Sequence, residues 1–247
     1  MANSRIGEVR KEWEVGPNAV PYPEIDSGED QILLFIGRKR SGKSRAAGEV
    51  AWQWPTDRII MDISRDFEIP AEELEKITRL PADPPFELPA RRRRDVPETF
   101  LWQPDLSRGT LHDDIDRVFG LAVNSERRVL VVVDEAGVAF QLHKIGPNGT
   151  TIVHQNRHFG CSLAACFPRP RNIEPLLLSQ ADRFHMFDVP NRKDVEHLAG
   201  HAGLPMPVLE KASRRVLNRG DYWSLCVVQQ PKALRGLYAC PPLPLSE

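Results

Sequence analysis

The chain has 247 residues, 41% of them hydrophobic and 27% charged, with a formal net charge of -1. That length and apolar content allow one large domain with a sizeable core, and the charge excludes a globally basic nucleic-acid binder, so any polyanion contact must be a local patch. Four cysteines (Cys161, Cys166, Cys226, Cys240) without a CxxC pair or metal-type spacing read as buried reduced thiols, no apolar leader opens the chain, and the densest apolar run, Val129 to Val133, falls far short of the ~18 residues of a membrane span; a cytoplasmic protein without a transmembrane segment is expected.

Residues 1–30 are polar, turn-rich and net acidic, and are expected to form an N-terminal arm. "QILLFI" reads as a short strand buried on both faces, followed by a loop and a helix over residues 42–54. "RIIMDI" is a second strand, and "PAEELEKITRL" from Pro70 a short helix with a proline start. "PADPPFELPARRRRDVPE" holds five prolines and reads as a loop. "TFLWQP" is a third strand and "TLHDDIDRVFGLAVN" an amphipathic helix. "RVLVVVDEA" is rich in β-branched residues, the composition of a central parallel strand. A helix ending at Gly160, the strand "CSLAACF", a helical turn in "NIEPLLLSQ", the strand "RFHMFDV" and a helix in "NRKDVEHLAGHAG" complete a core spanning 31–205. Beyond it, 206–247 is expected to supply a helix, a hairpin from "DYWSLCVV" and "RGLYAC", and a proline-rich tail. Strands alternating with helices imply an α/β fold with a mostly parallel sheet covered on both faces and a short C-terminal α/β extension.

Gly37, Arg38, Lys39, Arg40, Ser41, Gly42, Lys43 and Ser44 spell "GRKRSGKS", which fits GxxxxGK[ST] between an expected strand and an expected helix. The glycines let backbone N–H groups turn toward phosphate oxygens, and the helix N-terminus adds partial positive charge. Lys43 is the residue for the β- and γ-phosphates, and Ser44 supplies a hydroxyl to Mg²⁺. Residues 37–45 hold five positive charges and no negative one, which without a polyphosphate would only repel.

"RVLVVVDEAG" ends its strand in Asp134 and Glu135. A carboxylate at a strand's carboxyl end points into the crevice where open α/β sheets bind ligands. Asp134 suits Mg²⁺, and Glu135 suits activation of a water for attack on the γ-phosphate. The pair favours nucleoside triphosphate hydrolysis over small-molecule phosphoryl transfer by a metabolic kinase. The lack of an NKxD guanine motif favours ATP over GTP.

"GRKRSGKS", "RVLVVVDEAG" and "NRHFGCSLAACFPRPRNI" together resemble the FtsK–HerA superfamily of P-loop ATPases, over roughly residues 31–200. That superfamily includes chromosome translocases, conjugation-type ATPases and the genome-packaging ATPases of membrane-containing double-stranded DNA viruses. The resemblance implies a three-layer P-loop NTPase fold and a pentameric or hexameric ring with ATP at subunit interfaces. It also implies double-stranded DNA as cargo and capsid or membrane-vertex proteins as partners. Arg157 matches the arginine that reaches a neighbour's γ-phosphate; its alternative is a helix C-terminal cation, favourable by ~0.3–1 kcal/mol. The family's strand-end sensor is usually Gln. Pro168 stands there with no side-chain hydrogen bond to offer, so either Arg169 takes that role or turnover is slow. A compact chain fits a packaging ATPase best. A conjugation-type or mobile-element DNA transfer ATPase, and a nucleotide-binding assembly protein with weak turnover, are the alternatives.

Arg91, Arg92, Arg93 and Arg94 are either a pore contact to DNA phosphates or a solvated loop. Trp102 and Gln103 either approach the pore or pack. His154 with His158, and His197 with His201, have helical spacing that can hold metal but lack a third ligand, so exposed or capping histidines are the expectation.

Overall fold

The computed structural model describes residues 30–90, 96–140, 145–230 and 235–241. The arm expected over residues 1–30 therefore falls almost wholly outside the described residues, as do Arg91 to Arg94 and the end of the proline-rich tail. The elements in chain order are β1 (Ile32–Ile36), α1 (Lys43–Gln53), β2 (Asp57–Asp62), α2 (Ala71–Leu74), β3 (Ile77–Arg79), β4 (Thr99–Trp102), α3 (Leu111–Val123), β5 (Val129–Asp134) and α4 (Ala136–Ala139). They continue with α5 (Pro147–Phe159), β6 (Cys161–Phe167), a 3-10 turn at Pro170–Asn172, α6 (Pro175–Gln180), β7 (Arg183–Met186), α7 (Arg192–Ala202), α8 (Met206–Leu217), β8 (Ser224–Val228) and β9 (Gly236–Cys240).

Among the described residues, nine strands join one sheet in the order β3-β4-β2-β5-β6-β1-β7-β8-β9. The first seven in that order pair in parallel, and β8 and β9 add an antiparallel edge. Parallel neighbours need crossovers, which place helices on the sheet faces. The side-chain alternation along each strand then sorts the core into two layers. Val129, Val131 and Val133 of β5 face a layer built with α3, α5, α6, α7 and α8. Leu130 and Val132 face the other, where Ala46, Ala47, Val50 and Ala51 of α1 pack. A strand buried on both faces needs an unbroken apolar run, which explains the sequence of β5.

One expected element is different in kind. The stretch from Pro70 to Leu80 is not a single helix: α2 ends after four residues, and Ile77–Arg79 becomes β3, pairing with β4. Backbone pairing at the sheet edge and partial burial of Ile77 against the α1 layer outweigh a local helical propensity of a few tenths of a kcal/mol per residue, about 0.7 at most. The strand ending in Asp134 also stops there, and Ala136–Ala139 turns into α4.

Trp102 and Gln103 pack. Trp102 is fully buried and its Nε1 donates to the Ala82 carbonyl at 3.3 Å. Gln103 Nε2 donates to Asp62 Oδ2 at 2.8 Å. His154 and His158 are exposed, and the His197 and His201 rings meet edge-on at 4.8 Å. Among the described residues neither pair belongs to a cluster of three metal-type ligands. Burial pushes the Cys161 thiol up to about 12 and Cys166 well upward, so both are inert apolar fillers. No helix among the described residues is long and apolar enough to cross a membrane.

Candidate nucleotide site

The site begins where β1 runs out. Gly37 N–H donates to the Phe167 carbonyl at the end of β6, at 3.1 Å. A Cβ on Gly37 would lie 2.7 Å from Phe187 Cβ and 2.9 Å from Ser41 Oγ, so only glycine fits. The loop then turns through two left-handed residues, Arg40 (φ 64) and Gly42 (φ 96). That turn directs the chain into α1, whose first turn holds no acidic residue to cancel its N-terminal partial charge. Lys43 Nζ reaches back across the loop to the Arg38 carbonyl at 3.0 Å.

The two acidic residues meet this loop from the next strand but one. Ser44 Oγ donates to Asp134 Oδ1 at 2.7 Å. Ser64 Oγ, just after β2, donates to Asp134 Oδ2 at 2.9 Å. Asp134 is buried and held at both oxygens. Glu135 follows in a left-handed conformation, φ 56 and ψ 45, at the start of α4. For a non-glycine residue this costs roughly 1–2 kcal/mol, and it ends the strand so that Glu135 sits half-buried on the cavity wall.

The cavity holds about 610 Å³ and is lined by Lys39, Arg40, Gly42, Lys43, Ser44, Arg45, Ser64, Asp66, Glu68, Asp134, Glu135 and Tyr222. Most of the expected loop residues and both acidic residues thus converge on one space. Arg38 does not: its guanidinium turns to Asp188 at 2.6 Å, leaving only its carbonyl at the Lys43 contact. Pro168 is half-buried and Arg169 exposed, at the same sheet edge but outside that lining.

Arg157 lies elsewhere. It sits in the last turn of α5, ahead of β6, and its Nη2 bonds Asp182 Oδ1 at 3.1 Å just before β7. Those are the amino ends of strands parallel to β1, so Arg157 is on the opposite edge from the phosphate loop, roughly 20 Å away along a seven-residue strand. Burial raises the Asp182 carboxyl above its ordinary range, outweighing the Ile32 N–H at 2.8 Å and the Arg157 charge.

Ser64, Asp66, Glu68 and Tyr222 were not legible as site residues. Ser64 follows a strand without any motif, although Asp62 and Asp134 are register partners at one edge. Tyr222 lies just before β8; it has φ 62, and its Cδ1 would lie 2.9 Å from a Cβ on Gly42.

No protein-family model and no curated protein matches this sequence. The fold, however, has clear counterparts. The genome packaging NTPase B204 from Sulfolobus turreted icosahedral virus 2, in complex with ATP-gammaS, superposes with a TM-score of 0.59 at 17% identity, over 87% of this chain and 98% of that one. B204, the DNA-packaging ATPase from Sulfolobus Turreted Icosahedral Virus, gives 0.55 at 18% identity, over 87% and 99%. ATPases 2 and 3 of EssC from Geobacillus thermodenitrificans give 0.53 at 12% identity, over 89% of this chain and 40% of that one. At such identities the likeness is one of fold alone: this chain has a P-loop NTPase fold like that of B204.

Proposed function

We propose that this protein is an ATP hydrolase that translocates double-stranded DNA, most specifically a genome-packaging ATPase acting as a pentameric or hexameric ring in the host cytoplasm. The observation that carries the reading is the convergence of Lys43, Ser44, Asp134 and Glu135 on one cavity, in the fold that B204 shares. ATP is the substrate: the loop N–H groups and Lys43 bind its phosphates. The Ser44 hydroxyl and Asp134 carboxylate form an all-oxygen set suited to Mg²⁺, with Ser64 fixing the second carboxylate oxygen. Mg²⁺ held by Ser44 and Asp134 would supply charge neutralisation to the phosphates. Glu135 orients a water and takes its proton. Arg157, at the far edge, serves the site of a neighbouring subunit, leaving Asp182 to do so.

The ATPase rate of the full chain, with and without double-stranded DNA, tests this alongside native mass. Lys43-dependent turnover, raised by DNA in a multimer, is expected. Absence of Lys43-dependent turnover under both conditions would sink the motor reading. A second reading, a nucleotide-binding assembly protein with weak turnover, rests on Pro168 at the end of β6. If it holds, ATP binds tightly, and Pro168→Gln raises turnover.

A further inference from the structure

The last three strands of the sheet bring together side chains that the nucleotide site does not use. His185 on β7 lies opposite Cys226 on β8, and Cys226 lies opposite Tyr238 on β9. Alternate residues of a strand share a face, so Cys240, two beyond Tyr238, projects to the same side. The ligand atoms of His185, Cys226 and Cys240 all lie within 4.8 Å of one another, and all three residues are buried. Neither cysteine is in a disulfide.

The register decides between two chemistries. Cys226 and Cys240 are diagonal neighbours on an antiparallel pair, where Cα atoms sit about 7–8 Å apart. A disulfide needs about 4.4–6.8 Å and would have to pull the strands. A tetrahedral ion with bonds of about 2.0–2.3 Å wants its donors roughly 3.5–4 Å apart, which the present spacing approaches by small side-chain movements. One imidazole and two thiolates form a soft donor set that selects zinc over magnesium or calcium. The surroundings suit it. Phe35 stacks on His185 with ring centroids 5.1 Å apart and planes at 9°, which fixes the imidazole plane. Ser224, opposite Cys240, buries its Oγ beside that thiol, where it can donate to a bound sulfur. Arg183 is buried on the same face two residues before His185.

We propose that His185, Cys226 and Cys240 bind a zinc ion that clamps the β8–β9 hairpin to β7. Binding replaces the two thiol protons, which leave to solvent, and a fourth position falls to a water. The clamp stiffens the wall of the nucleotide site from behind. β7 leads directly to Phe187 and Asp188, which meet Gly37 and Arg38, and Tyr222 enters the cavity from the start of β8.

The test uses the full chain, purified without chelator from zinc-supplemented cells, with metal content measured by mass spectrometry. One zinc per chain is expected, retained in Cys161→Ser. Cys226→Ser and His185→Ala should weaken zinc binding by at least about tenfold. Should those variants fail to fold, zinc-stripped wild type loaded with cobalt should show thiolate-to-cobalt charge-transfer absorption. A wild type that carries no zinc and develops no such absorption overturns the proposal. So does an intact mass two hydrogens lighter, the mark of a Cys226–Cys240 disulfide, or full zinc retention in Cys226→Ser.

Discussion

The two edges of the sheet differ in completeness. At the carboxyl edge, Lys43, Ser44, Asp134 and Glu135 share one cavity, and each polar group has a partner or faces that space. At the amino edge, the Arg157 side chain is 59% exposed and paired with Asp182. A parallel sheet forces this division. Each of the seven strands from β3 to β7 in the sheet order delivers its carboxyl end to one side, where loops can converge, and its amino end to the other. In the proposed function, the carboxyl edge binds nucleotide within one chain, whereas Arg157 acts on a nucleotide only in an assembly.

Substitutions at the two edges separate these roles. If the proposed assembly forms, Arg157→Ala is expected to lower ATP turnover by about 10³-fold, the scale of an arginine supplied in trans. If turnover of the purified multimer is unchanged and only the melting temperature drops slightly, Arg157 is a helix-end cation paired with Asp182. Glu135→Gln should cut turnover by about 10²-fold while ATP still binds, as measured by calorimetry. Loss of binding along with turnover would make Glu135 a structural residue of the strained turn. Gly37→Ala should destabilise the fold by about 1–3 kcal/mol, because Phe187 Cβ cannot move away without shifting β7; a melt unchanged from wild type would show that the loop has slack.

The smallest expected effect is at Asp182. Its carboxyl is raised above the unfolded value of about 3.9. A raised acid stabilises the fold below the unfolded value, and that contribution is lost as pH rises through the folded one. The melting temperature of wild type relative to Asp182→Asn should thus fall as pH climbs from about 4 toward neutrality. A difference that grows over that range would mean that the Arg157 pair outweighs burial.

The carboxyl edge was largely legible because its chemistry is local in sequence. "GRKRSGKS" and "VVVDEAG" each carry their residues within a few positions, at a strand end whose composition identifies it. Ser64 and Tyr222 were hidden because they reach the cavity from other strands, and no spacing marks a residue that arrives through sheet order. β3 is hidden for the same reason: its partner β4 is distant in sequence, and edge pairing is a tertiary event. Arg38 shows the limit within a motif, since Asp188, beyond β7, draws its side chain out of the cavity.

The order of residues was therefore enough for the alternating α/β plan, the phosphate loop and the acidic pair, because hydrophobic periodicity and short motifs act over a few residues. The folded sheet alone decided which strands are neighbours. That choice joins Ser64 to Asp134, separates Arg157 from the phosphate loop, and gathers His185, Cys226 and Cys240 onto one face. Strand pairing is set by the burial of whole faces against distant partners, and no local spacing encodes it.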